Sequence, residues 1–171
     1  GQTVYVLDPF RLGPNHASAA YNPLSVFDPD TPEGRELAID DAALIADALV
    51  TPGGERDSHW DESARAVLQA LILHVLTTEP PEHQTLPRLR QWLMTGDFLD
   101  RMAENKAFHG VISGEAEALL ALGDEERGSI LSTARRNTKF LESPAMQAVL
   151  ARSDFDLRDL KRERMTLYLC L

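Results

Sequence analysis

The 171-residue chain holds one cysteine, Cys170, so no internal disulfide can form. No Cys-x-x-Cys spacing offers zinc a pair of thiolates. A fold held without disulfides suits a reducing compartment. Aromatic residues make up 6% of the chain, while Leu and Ala dominate its apolar set. That bias favours helices over sheets. No apolar run approaches the roughly 20 residues of a membrane span. The N-terminus has no basic stretch followed by an apolar one, so no secretory signal is visible. A glycine-rich phosphate loop is also missing, because Gly53-Gly54 is not followed by Gly-Lys-Ser/Thr. Basic residues are in deficit, with 17 Lys and Arg against 27 Asp and Glu, for a net charge of -10. Such a surface repels phosphates and favours a basic protein partner over nucleic acid. What is present is enough for a core: 43% of residues are hydrophobic, and the length suits one domain.

The two ends read differently from the middle. Thr3-Val4-Tyr5-Val6-Leu7 is a β-rich run stopped by Asp8-Pro9, and Met165 to Leu171 is a second. Both are nearly continuous and apolar, as strands buried on two faces are. A chain that stops within a strand reads as a piece cut from a larger protein. Residues 11–32, with Asn22-Pro23 and Asp28-Pro29, read as an ordered loop.

Helical signals fill the middle. Thr31 caps and Pro32 opens a helix to about Leu49, ended by Pro52-Gly53-Gly54. Ser58 and Asp61 resemble a capping box. Trp60, Ala64, Val67, Leu68, Leu71, Ile72, Val75 and Leu76 then follow helical spacing up to Pro80-Pro81. This helix is expected to be the core of a bundle. Shorter helices follow: one from Thr85, one capped by Asp97, one from Ser113 to Leu122, and one from Asp124 towards Phe140. A last main helix starts at Ser143-Pro144, and Asp156 caps one further turn. No repeat is apparent.

The chain offers little to catalysis. Its five histidines (His16, His59, His74, His83, His109) show no metal spacing. His74, between Leu71 and Val75, reads as structural, and His59 and His109 as solvated. Ser113 and Ser132 lack a nucleophile-elbow context, and Cys170 in an apolar strand reads as an inert thiol. Asp40-Asp41 and Glu125-Glu126 read as solvated helix surface. No catalytic, cofactor-binding or metal residue is therefore expected. One basic cluster stands out, Arg135, Arg136 and Lys139 on one helix, with Arg127 about two turns earlier. It is either a contact for DNA or an acidic partner, or a solvated face whose cations favour the helix C-terminus. Arg158, Lys161, Arg162 and Arg164 read as a charged turn before the last strand.

The order of several motifs carries a resemblance. Val6-Leu7-Asp8-Pro9-Phe10 is followed by Tyr21-Asn22-Pro23-Leu24, and then by Trp60-Asp61-Glu62-Ser63-Ala64 opening a long apolar helix. Ser129-Ile130-Leu131-Ser132-Thr133-Ala134 and Phe155-Asp156-Leu157 precede the final apolar run. In this order the chain resembles the coupling proteins of type IV secretion and conjugation, the TraG and TraD-like ATPases, over nearly its whole length. The resemblance implies a mainly α fold: a helical bundle, the all-alpha domain, inserted in a RecA-like α/β motor. It divides the chain into a motor strand and loop (1–30), the all-alpha domain (31–153), and a return turn with a second motor strand (154–171). It implies that the phosphate-binding loop lies before Gly1 and the acidic magnesium motif after Leu171, so ATP and Mg belong to the full-length protein. Asp8 would end its strand near the nucleotide site of the full motor, although Pro9-Phe10-Arg11 departs from the Gly-Glu pair of many relatives.

The resemblance further implies a full-length hexamer at the cytoplasmic face of the bacterial inner membrane, with this piece soluble, monomeric and free of membrane contact. Its function would be recognition of cargo, either a relaxase–DNA complex or an effector protein. The alternatives are a DNA-contacting part of a translocating motor, through Arg135 to Lys139, and a helical adaptor without a motor. The two terminal β runs argue against the adaptor.

Overall fold

Seven α-helices, five short 3-10 helices and two short strands make up the regular structure of the described residues. The computed structural model describes residues 1–13, 17–28, 31–53 and 58–170. His16, Pro29, Gly54 and Leu171, together with the side chain of Ser58 in the expected capping box, lie outside the described residues.

Local chemistry fixes where α1 begins. The Thr31 hydroxyl accepts a hydrogen bond from the Gly34 amide at 3.1 Å, and Pro32 takes the first helical position. The helix runs Pro32–Leu49. A Cβ at Gly34 would lie 2.0 Å from the Asp28 carbonyl oxygen, so only glycine permits the preceding loop to press this closely on α1. Helix α2 spans Ser58–Thr78. Its Val67, Leu68, Leu71, Ile72, Leu73 and Val75 have no exposed surface. They point all round the helix, and α1, α3, α5 and α6 surround it. Each such side chain contributes about 1.5–3 kcal/mol by leaving water. The long apolar helix of the sequence is thus the central post of the bundle.

The shorter elements wrap this post. Helix α3 is Leu86–Leu93, capped by Thr85, whose hydroxyl accepts from the Arg88 amide. It stops before Gly96. Helix α4 is Phe98–Glu104. Asp97 precedes it as expected but does not cap it, because its carboxylate binds Arg101 at 2.7 Å. Helix α5 is Val111–Ala121, two residues earlier than the Ser113 start read from the sequence. Gly110 sits before it at φ 83°, and the Ser113 hydroxyl turns back to donate to the Gly110 carbonyl. Helix α6 is Asp124–Asn137. It does not continue to Phe140: Thr138 bonds back to the Ala134 carbonyl at 2.8 Å, and a 3-10 turn follows at Lys139–Glu142. Lys139 therefore lies off the helix that carries Arg135 and Arg136. Helix α7 is Pro144–Leu150. The Asp156 carboxylate accepts from the Arg158 amide and starts one more 3-10 turn, as the sequence suggested.

The strands β1 (Thr3–Leu7) and β2 (Met165–Leu169) pair in parallel, Thr3 opposite Met165 and Leu7 opposite Leu169. They are not buried on two faces as their composition suggested. Val4 is 52% and Tyr168 56% exposed, because the neck residue Phe155 packs on the pair only at Tyr5 and no further strand flanks it among the described residues. Cys170 lies just past β2 and is half-buried. The incoming and outgoing chain are latched where the bundle begins. Ala20 and Asp154 exchange two hydrogen bonds: the Ala20 amide donates to the Asp154 carboxylate, and the Asp154 amide donates to the Ala20 carbonyl. The Asn22 amide donates to the Ser153 hydroxyl at 3.0 Å. Phe155 stacks on Tyr21 at 5.3 Å and leans on Tyr5 at 4.9 Å, which ties β1 to this neck.

Candidate functional site

The basic cluster is divided by the fold. Arg135 and Arg136 are adjacent on α6, so their side chains leave the helix about 100° apart. Arg135 is half-buried, and its Nε donates to the Leu93 carbonyl at 3.3 Å, closing the end of α3. Arg136 is exposed and lies 4.0 Å from the buried Asp61 carboxylate. The Asp61 Oδ2 accepts from the Gly53 amide at 2.8 Å and pins the loop before α2. Lys139 is exposed in the 3-10 turn. Of the three cations, Arg136 and Lys139 face solvent, while Arg135 is committed to internal packing. Arg127 is likewise engaged, donating to the carbonyls of Leu120 and Leu122 at the end of α5 and pairing with Asp124.

Below this surface lies a residue the sequence reading passed over. Arg90 is 7% exposed. Its Nη1 donates to the Arg135 carbonyl at 2.8 Å and to the Thr138 hydroxyl at 3.0 Å, and its Nη2 reaches Glu142 at 2.5 Å. One guanidinium thus joins α3, the C-terminus of α6 and the turn after it, and a cation there suits the helix dipole. The hydrogen bond from Arg90, then its charge, holds the Glu142 carboxyl below its usual range. The signal was present in the sequence, since Leu86, Arg90 and Leu93 fall at i, i+4 and i+7 on the buried face of α3.

A second polar cluster surrounds Trp92. Its indole N–H donates to Glu79 at 2.6 Å. Arg88 also reaches Glu79, at 2.9 Å, and the guanidinium groups of Arg88 and Arg101 lie 5.9 and 5.4 Å from the indole centre. Burial pushes the Glu79 carboxyl up, but the hydrogen bonds from Trp92 and Arg88 outweigh it and the group is held low. His74 meets the Trp92 ring edge-on at 4.9 Å, and its Nδ1 faces the Asn105 amide at 3.0 Å. Burial holds this imidazole below its ordinary value of 6.5. The cluster has the geometry of a structural network, every charged member having a neighbour inside it.

Asp8 ends β1 and is 2% exposed. Its two carboxylate oxygens accept from the amides of Leu12 and Gly13 at 2.9 and 2.8 Å, and its own amide donates to the Ser18 hydroxyl. The carboxylate folds residues 8–13 into a tight turn in which Arg11 takes φ 55°. Among the described residues no group of three or more His, Cys, Asp or Glu side chains could hold a metal ion. Among them, too, no helix is long and apolar enough to cross a membrane.

The helical post, the parallel strand pair and the latched neck run through the whole chain, and so does a family match. The family described as type IV secretory system conjugative DNA transfer matches residues 1–171. The chain belongs to this family. It is similar to a conjugal transfer protein TraG of Escherichia coli, 30% identical over 142 residues, which is 76% of this chain and 22% of that protein. A second Escherichia coli protein of the same name is 28% identical over 163 residues, 88% of this chain and 25% of the relative. The chain therefore spans about a quarter of the length of these conjugal transfer relatives.

Proposed function

We propose that the chain is the cargo-recognition domain of a type IV secretion coupling protein, holding a relaxase–DNA complex or an effector protein for delivery to the secretion channel. The observation that carries this reading is the match of the conjugative DNA transfer family to all 171 residues. The acidic balance supports a protein partner over a nucleic acid. The parallel pairing of β1 and β2 supports an insertion between two strands of a larger parallel sheet, since parallel neighbours need a long crossover between them. In this reading the RecA-like motor, its ATP and Mg site, its hexamer and its inner-membrane attachment belong to the full-length protein. Asp8, beside that motor, would act by shaping the loop after its strand.

The test is fluorescence anisotropy with a labelled relaxase of the same conjugation system at two salt concentrations. Binding that weakens with salt is expected. A DNA-contacting role is favoured by one observation, the exposure of Arg136 and Lys139. Salt-sensitive binding of duplex DNA by the wild type, lost on Arg136→Glu with Lys139→Glu, together with no relaxase binding, would replace the first reading by the second.

A further inference from the structure

A cleft of about 590 Å³ opens between the first turns of α1, the C-terminal end of α2 and the segment before α5. That volume is within the range of sites that take small ligands or peptide side chains. Its walls are mostly apolar. Phe27, Ile39, Leu76, Ala107 and Phe108 line it, each half-buried although packed on the core. Exposed Arg35, Glu36 and His109 stand among its lining residues.

The segment that forms one wall is held in an unusual backbone. Phe108, His109 and Gly110 all have positive φ, at 52°, 56° and 83°. Two consecutive non-glycine residues in this region persist only where the surroundings impose them. The Asn105 side chain braces the start of this turn: its Oδ1 accepts from the Ala107 amide at 3.1 Å, and its Nδ2 donates to the Thr77 hydroxyl of α2 at 2.8 Å. The Gly110 amide closes the turn on the Ala107 carbonyl at 3.2 Å. The result is a fixed wall that brings Phe108 and His109 to the cleft, and such pre-ordering lowers the cost of binding. The opposite wall is charged on its rim. Helix α1 brings Arg35 and Glu36 to the cleft, and the exposed Glu33 and Asp40 stand three residues before and four after Glu36 on the same helix face.

We propose that this cleft receives apolar side chains of a basic peptide segment of the cargo, with the cations of that segment held by the carboxylates of α1. The proposal rests on the cargo-recognition reading and gives it a site. Apolar walls supply the anchor, and the acidic rim selects for neighbouring Arg or Lys and against acidic sequences.

The probe is a short fluorescein-labelled peptide with a central Leu-Phe pair flanked by arginines, titrated with the full chain. Micromolar binding is expected, lost when the pair becomes Ser-Ser or the arginines become glutamates. Ala107→Trp fills the cleft and should weaken binding at least about tenfold. Glu36→Lys changes only an exposed side chain, and should weaken binding and reduce its salt dependence. The idea is overturned if the wild type ignores the peptide, or if both variants, folded by circular dichroism, bind it like wild type. Self-association abolished by Ala107→Trp would instead give the cleft to a second copy of the chain, and would also overturn it. The labelled relaxase separates the two levels of the argument. Relaxase bound equally by wild type and both variants sinks the cleft but leaves cargo recognition standing, whereas relaxase bound by none of them sinks cargo recognition itself.

Discussion

Arg90 gives the sharpest test of how the bundle is held. Replacing it with Ala removes two hydrogen bonds on buried acceptors, the Arg135 carbonyl and the Thr138 hydroxyl. Charge-assisted bonds of this kind contribute roughly 1.5 kcal/mol each, so the loss is about 3 kcal/mol. The contact to Glu142 adds little, because that carboxylate is half-exposed and screened by solvent. For a domain of this size each kcal/mol shifts the melting temperature by about 2–4 °C, so Arg90→Ala should melt about 6–12 °C lower. Arg90→Lys keeps the charge but loses the fork, and should fall between. Thermal melts followed by far-ultraviolet circular dichroism measure all three proteins. The pH dependence has a definite sign. Glu142 is held below its ordinary value of 4.5 by Arg90, so its contribution is present above 4.5 and is lost as pH falls through the lower folded value. Arg90→Ala should lack that part of the acid sensitivity. A melting temperature within about 1 °C of wild type would refute the clamp.

Other expectations follow from the same geometry. Leu71→Ala, at a position with no exposed surface on the central helix, should cost about 2–5 kcal/mol in urea unfolding, and a loss below ~0.5 kcal/mol would mean that α2 is not the post. Burial holds His74 below 6.5, so the unfolded chain takes up the proton first. Its contribution is present above 6.5 and is lost as pH falls from there through the folded value, and the gap between wild-type and His74→Gln melting curves should change over that window. A gap independent of pH would show that His74 does not titrate on unfolding. Phe155→Ala removes the ring between Tyr21 and Tyr5, and hydrogen exchange should quicken in β1 and β2 while the α2 amides stay protected. Equal protection of the strands in both proteins would count against the neck as their anchor.

Sequence alone determined the elements whose signals are local. Thr31-Pro32 starts α1, Thr85 caps α3, Asp156 opens the last turn, and the apolar run from Trp60 to Leu76 marks the central helix. Each depends on neighbours within about one or two helical turns, which a linear reading sees. The order of short motifs was enough to place the chain beside the conjugative coupling proteins, and the family match agrees. Tertiary structure decided what depends on partners far along the chain. It ended α6 at Asn137, where Thr138 and Arg90 take over the last carbonyls, and so set Lys139 apart from Arg135 and Arg136. It turned Asp97 from a cap to the partner of Arg101. It left strands of buried composition exposed, because burial depends on the layers that cover a sheet and not on the strand's own residues. The cleft beside Phe108 was likewise invisible in one dimension. Its walls come from stretches of chain far apart in sequence, and packing on α2 brings them within reach of one ligand.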